Sequence, residues 1–284
     1  MRKFVGFLYV SVTLLVGIVM GSATAAMAEE DESELAKAAQ NPVADLISVP
    51  FQNNFNFDVG PLDKTEYILN IQPVIPISLN EDWNVITRTI IPVVSEPAFL
   101  HDDVPGLPSY IPDDDRTTGL SDIQFTAFLS PAKSGKLIWG IGPVFQFPTA
   151  TDEILGAEKW CAGPSAVALT IRGPWVIGGL INNIWSFAGD DDREDVNKFL
   201  AQPFVNYNLP KGWYLTSSPV ITANWKADDS DDRWTVPVGG GIGKIVKIGK
   251  LPVNLQLQSF YNVEKPDLGA DWSIRFQVQF LFPK

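Results

Sequence analysis

His101 is the single histidine of a 284-residue chain, and it lies in Leu100-His-Asp-Asp-Val104, where Asp102 or Asp103 could orient it as a general base. A catalytic rim of that kind would also need a nucleophile within hydrogen-bond reach, and the sequence marks none. Cys161 is the only cysteine, so it forms no internal disulfide and reads as a partly buried cysteine without a role. Three acidic runs, Asp113–Asp115, Asp190–Asp192 and Asp228–Asp232, offer the oxygen ligands that suit divalent cations, but none has the spacing of a defined calcium loop. They read first as solvated loops. No cofactor motif is found: Gly239-Gly-Gly241 sits inside a strand and opens no helix.

The most frequent chemistry in the chain is that of the uncharged amide. Gln52, Asn54, Asn56, Asn70, Gln72, Gln146, Gln202, Asn206, Asn224, Asn254, Gln256, Gln258, Gln277 and Gln279 recur at every second position within apolar segments. Charges among them are few: Asp58, Arg88 and Arg275. Amides hydrogen-bond neutral solutes without strong charge selection, whereas ion-selective pores carry charged rings.

Strands must position these residues. In Trp272–Phe282, Trp272, Ile274, Phe276, Val278, Phe280 and Phe282 share one face, and Ser273, Arg275, Gln277 and Gln279 share the other. Such alternation predicts a strand with an apolar and a polar side. Twelve strand-like segments follow, near 48–60, 67–79, 83–97, 119–131, 137–149, 160–173, 175–189, 197–210, 213–227, 233–249, 251–265 and 272–284. Short links such as Pro210-Lys-Gly212 alternate with longer acidic ones such as Asp190–Val196. That pattern predicts an all-β transmembrane barrel, antiparallel and up-and-down, with the polar face lining a lumen. The third, sixth and seventh segments do not show which face is which.

The tryptophans fall at strand ends. Trp83, Trp139, Trp175 and Trp213 follow short links, whereas Trp160, Trp185, Trp225, Trp234 and Trp272 adjoin long ones. Indoles collect at membrane interfaces, so these nine form two expected belts. Prolines inside strands, at 73, 92, 143, 164, 203, 219 and 237, run against the pattern, because proline cannot donate to a ladder.

Residues 1–28 read as a cleaved signal peptide, with Arg2-Lys3, an apolar run from Phe7 to Met20 and Ala26-Met27-Ala28. Removing its two cations takes the net charge from −12 to −14, a poor match for nucleic acid. Residues 29–47 are expected to form a short helix from Glu30 to Gln40, ended by Asn41-Pro42, as a periplasmic leader or a plug. The barrel then spans 48–284 in the outer membrane of a diderm bacterium.

Five stretches carry a resemblance: Pro50-Phe-Gln-Asn-Asn-Phe55, Ile71-Gln-Pro-Val-Ile-Pro76, Gly119-Leu-Ser-Asp-Ile-Gln124, Gly142-Pro-Val-Phe-Gln-Phe-Pro148 and Gln202-Pro-Phe-Val-Asn-Tyr207. From residue 35 onward the chain resembles the bacterial outer-membrane barrel family labelled as transporters or as the MetA-pathway of phenol degradation. The resemblance implies movement of small, aromatic solutes and brings no set of functional residues. The resulting expectation is a passive channel for small neutral or weakly cationic solutes, with outer-membrane lipids and a solute as partners and divalent cations at the acidic loops. The competing readings are a barrel enzyme using His101, a plugged structural or receptor barrel, and a soluble exported β-protein.

Overall fold

The first and last strands of the chain are neighbours: Ile47 stands opposite Phe282, and the pairing runs on to Phe57 opposite Trp272. This closes a barrel of twelve antiparallel strands. The computed structural model describes residues 27–97, 116–133 and 135–283. His101 with its flanking aspartates, Asp113–Asp115 and the signal segment through residue 26 lie outside the described residues.

In chain order the strands are β1 (Ile47–Val59), β2 (Lys64–Ile71, continuing as Val74–Ser78), β3 (Trp83–Pro97), β4 (Arg116–Leu120, continuing as Ile123–Pro131) and β5 (Ile138–Phe147). Then come β6 (Lys159–Arg172), β7 (Trp175–Gly189), β8 (Asn197–Asn208), β9 (Trp213–Ser217, continuing as Ile221–Asn224), β10 (Trp234–Ile248), β11 (Leu251–Glu264) and β12 (Trp272–Phe282). Each pairs with the next. One helix, α1 (Met27–Ala39), precedes them.

Tight turns join strands at one end. Asn80 accepts from the backbone N–H groups of Asp82 and Trp83 at 2.9 Å each, which fixes the β2–β3 turn. Lys211 and Gly212 take positive φ values of 61° and 69° in the tight Pro210-Lys-Gly212 link, where Leu209 N donates to Trp213 O at 2.8 Å. The opposite end carries the longer acidic links.

The prolines inside strands explain where the ladder breaks. β2 is interrupted at Gln72-Pro73 and β9 at Ser218-Pro219-Val220. Pro143 of β5 stands directly opposite Pro164 of β6. Register between β8 and β9 is kept across the break, which puts Pro203 abreast of Pro219. Grouping the missing donors in this way confines the lost bonds to a few places, and the carbonyls still accept: Thr89 N donates to Pro73 O at 3.1 Å and Ser121 N to Pro92 O at 2.9 Å.

Alternation sets the two surfaces. Large apolar side chains point outward and stay exposed, among them Ile75, Ile77, Ile177, Ile181, Leu257 and Tyr261. A continuous apolar outer wall is a liability in water and the normal surface in hydrocarbon. One expectation needs correcting. Asp58 adopts a positive φ of 56° at a register shift in β1, so the alternation changes phase there. Val59 is thereby buried, and Asp58 accepts a hydrogen bond from Trp272 Nε1 at 2.9 Å instead of standing free in the lumen.

Candidate functional site

The interior has two unlike halves. Along β1, β2, β11 and β12 the amides form one continuous chain of hydrogen bonds. Arg88 Nη2 donates to Gln72 Oε1 at 2.6 Å, and Gln72 Nε2 donates to Gln52 Oε1 at 3.2 Å. Gln52 Nε2 reaches Gln277 at 3.4 Å, and Gln277 reaches Gln279 at 3.4 Å. Asn254 also donates to Gln279, at 2.9 Å, while its own oxygen accepts from Tyr214 Oη at 2.6 Å. Gln256 donates to Tyr214 Oη at 3.4 Å, and Gln258 Nε2 donates to both Gln256 and Ser218 at 2.8 and 3.0 Å. Each amide has both a donor and an acceptor, so a chain of them can satisfy itself while buried.

The facing half, on β3 to β8, carries an apolar cluster toward the short-turn end, beside polar neighbours such as Gln202 and Asn206. Ile86, Phe128, Val167, Leu169, Val176, Leu180 and Phe204 form one buried cluster. The sequence did not single these residues out. Their strands are apolar on both faces, so no alternation marks the inward one.

The N-terminal segment enters this interior from the short-turn end. Ala36 of α1 packs with Tyr214, Ile245 and Leu281, and Leu46 joins the same group. Further along, Val43 is buried in the apolar cluster. A Cβ at Gly140 would lie 3.2 Å from Val43 Cγ1, so the bare glycine makes room for the segment. Gln40 is tied to Asn208 through both amide groups.

Between residues 38–46 and the wall remains a cavity of about 150 Å³. Gln52, Gln72, Gln202, Asn206, Asn254, Gln256, Gln277 and Gln279 line it, together with Arg88 and the apolar Val74, Leu180 and Phe204. A wider vestibule of about 770 Å³ lies at the long-loop end, and Gln146 and Asn224 belong to it rather than to the inner cavity. Asn54 accepts from Arg275 Nε at 3.1 Å. Asn56 donates to Glu66, and Asn70 stands opposite Gln52 in the β1–β2 ladder.

Arg275 also donates to the Ser218 carbonyl at 2.8 Å and lies over the Phe260 ring, 4.9 Å from its centroid. Neither Arg88 nor Arg275 has a carboxylate within ion-pair distance among the described residues.

The tryptophans are grouped by end. Trp83 packs edge-on to Trp139 with centroids 6.1 Å apart, Trp175 packs against Tyr207, and Lys244 lies over Trp213 at the short-turn end. At the other end Trp160 packs on Phe147, Trp225 on Trp234, and Trp272 stacks on Phe57 at 4.1 Å. Trp185 sits at that end too, paired with Asn197. Cys161 is a free, buried thiol. Among the described residues no three His, Cys, Asp or Glu side chains are placed to hold a metal ion, and no helix is long and apolar enough to cross a membrane.

No family model and no curated protein matches the chain. Among solved structures, the COG4313 outer membrane channel from Pseudomonas putida F1 is similar with a TM-score of 0.60 at 17% identity, covering 84% of this chain and 94% of that one. A Pseudomonas aeruginosa FadL homologue covers 86% and 93% with a TM-score of 0.42 at 9% identity. Outer membrane phospholipase A from Escherichia coli covers 89% and 98%, at 0.40 and 12%. The last two are too loose to argue from. At these identities the likeness is one of fold: that of an outer-membrane barrel.

Proposed function

We propose that the protein is an outer-membrane channel through which small solutes pass passively, with residues 29–46 seated as a plug at its short-turn mouth. The observation that carries this is the two-faced interior, in which an amide wall and an apolar wall enclose a cavity closed off by a segment from outside the barrel. A filled structural barrel has no need of such a cavity. Twelve strands also give a lumen wider than the eight-stranded barrels that side chains can fill.

An amide wall facing an apolar wall suits neutral, amphipathic molecules, and a single-ring aromatic with one polar group fits the description. This agrees with the family resemblance carried by Pro50–Phe55 and the related stretches. Weakly cationic solutes, also expected from the sequence, are set aside because Arg88 and Arg275 hold positive charge in the wall. The short-turn end is periplasmic on this reading, the tryptophan groups are the two interface belts, and the signal peptide delivers the chain. Divalent-cation binding is left out, since no three carboxylates converge among the described residues.

The deciding experiment is single-channel conductance in a planar bilayer, on the refolded mature chain with and without residues 29–46. Steps from both forms, larger and longer after truncation, are expected. Silence from both, with folded protein shown to be in the bilayer, would sink the channel reading and favour a structural barrel. Hydrolysis of a lipid ester by the folded chain, abolished by His101→Ala, would replace it with an enzyme.

A further inference from the structure

Arg88 points into the lumen from the middle of β3, on the same face as the buried Ile86. Its guanidinium has five N–H donors and no acceptor. Among the described residues it has one side-chain acceptor, Gln72 Oε1 at 2.6 Å, and that oxygen is uncharged. No carboxylate reaches it among the described residues. Charges taken out of bulk water are normally paired, because an amide dipole does not replace a counter-ion.

Arg275, in this same wall, is better furnished. It has Asn54, the Ser218 carbonyl and the Phe260 face around it, and it does not border the cavity. Arg88 does border it, and so do Leu180 and Phe204. The cavity therefore presents a planar cation with one side-chain acceptor among the described residues and, in Leu180 and Phe204, an apolar surface. Its volume of about 150 Å³ matches that of protein cavities that take up a single benzene ring, the scale of a one-ring acid.

We propose that this cavity is a binding site for small monocarboxylates with an apolar body, the carboxylate resting on Arg88 and the hydrocarbon on Leu180 and Phe204. The proposal rests on the reading of the lumen as a solute path and adds that carboxylates dwell where neutral solutes pass. A guanidinium fork matches a carboxylate through two parallel N–H···O bonds, which a neutral hydroxyl cannot reproduce. The apolar wall selects against bare inorganic anions.

The test is a fluorine NMR titration of the full mature protein, folded in detergent, with para-fluorobenzoate and with para-fluorobenzyl alcohol, which has no charge. Saturable binding of the acid is expected, about tenfold or more tighter than the alcohol, as a charge-assisted hydrogen-bond pair implies. Arg88→Gln should erase the difference, and Arg88→Lys should keep part of it, with folding of each variant checked by heat-modifiable migration. Inorganic phosphate should not displace the acid. Equal affinities for acid and alcohol, absence of saturable binding, or a preference that survives Arg88→Gln would each overturn the proposal. Displacement by phosphate would do so too. None of these outcomes touches conductance, so the channel reading stands or falls separately.

Discussion

Gln40 and Asn208 face each other as a reciprocal amide pair: Gln40 Nε2 donates to Asn208 Oδ1 at 2.9 Å, and Asn208 Nδ2 donates back to Gln40 Oε1 at 3.1 Å. Asn208 is itself fixed to the Pro174 carbonyl at 3.0 Å. The pair therefore anchors the end of α1 to the rim of β8, in a place half shielded from water. Gln40→Ala should loosen docking of the N-terminal segment by about 1 kcal/mol, the net worth of such bonds. Asn208→Ala should do the same, and the double variant should be little worse than either single one. Bilayer recordings read this as a higher open fraction. Additive effects would show that the two residues act independently.

Gly140 offers a steric route to the same end. An added Cβ would sit 3.1 Å from Phe128 Cβ and 3.2 Å from Val43 Cγ1, and larger side chains would go further. Gly140→Val should push Val43 out of its cluster and raise conductance toward that of the truncated chain. Val43→Ala in the same background should relieve the clash and lower it again.

Tyr214 holds the centre of the amide chain. It is 1% exposed, donates to Asn254 and accepts from Gln256. Tyr214→Phe leaves the Asn254 oxygen buried without that donor, at a cost of about 1–3 kcal/mol. Denaturant titration of the folded barrel measures this. A change below the error of the titration would mean that the amides rearrange to share the remaining donors.

Trp272 separates stacking from hydrogen bonding. Trp272→Phe keeps the contact on Phe57 and loses the bond to Asp58, and should cost about 1 kcal/mol or less. Trp272→Ala loses both and should cost several times as much, read from the same titration in vesicles.

The strands were legible because lipid demands an apolar outer face along every one of them. Trp272–Phe282 and Leu251–Glu264 show it plainly, since their inner face is polar. In β3, β6 and β7 the inner face carries Ile86, Val167, Leu169, Val176 and Leu180, so a period of two remains but its contrast is gone. Asp58 escaped for a different reason: a positive φ inserts one residue into the count, and nothing in the residue types announces it. The amides were legible one by one, whereas their assembly into a chain depends on register between strands far apart in sequence. The insertion of Val43 leaves no trace in the sequence, because residues 41–46 have no period. The lack of a counter-charge at Arg88 among the described residues is equally silent, since it is a fact about neighbours.

The seam between β1 and β12 joins residues such as Gln52 and Gln277, 225 positions apart. Such distant pairing is slow, because the chain must search widely before any bond rewards it. The residues that enter the lumen lead directly into β1, one of the two strands on that seam. Until the seam zips, the segment has no enclosed space to occupy, and once it zips, Leu46 is held at the mouth beside Leu281. Closing the seam thus makes both the barrel wall and the space in which Val43 and Leu46 are buried, so the wall and the inserted segment are held by one shared set of contacts.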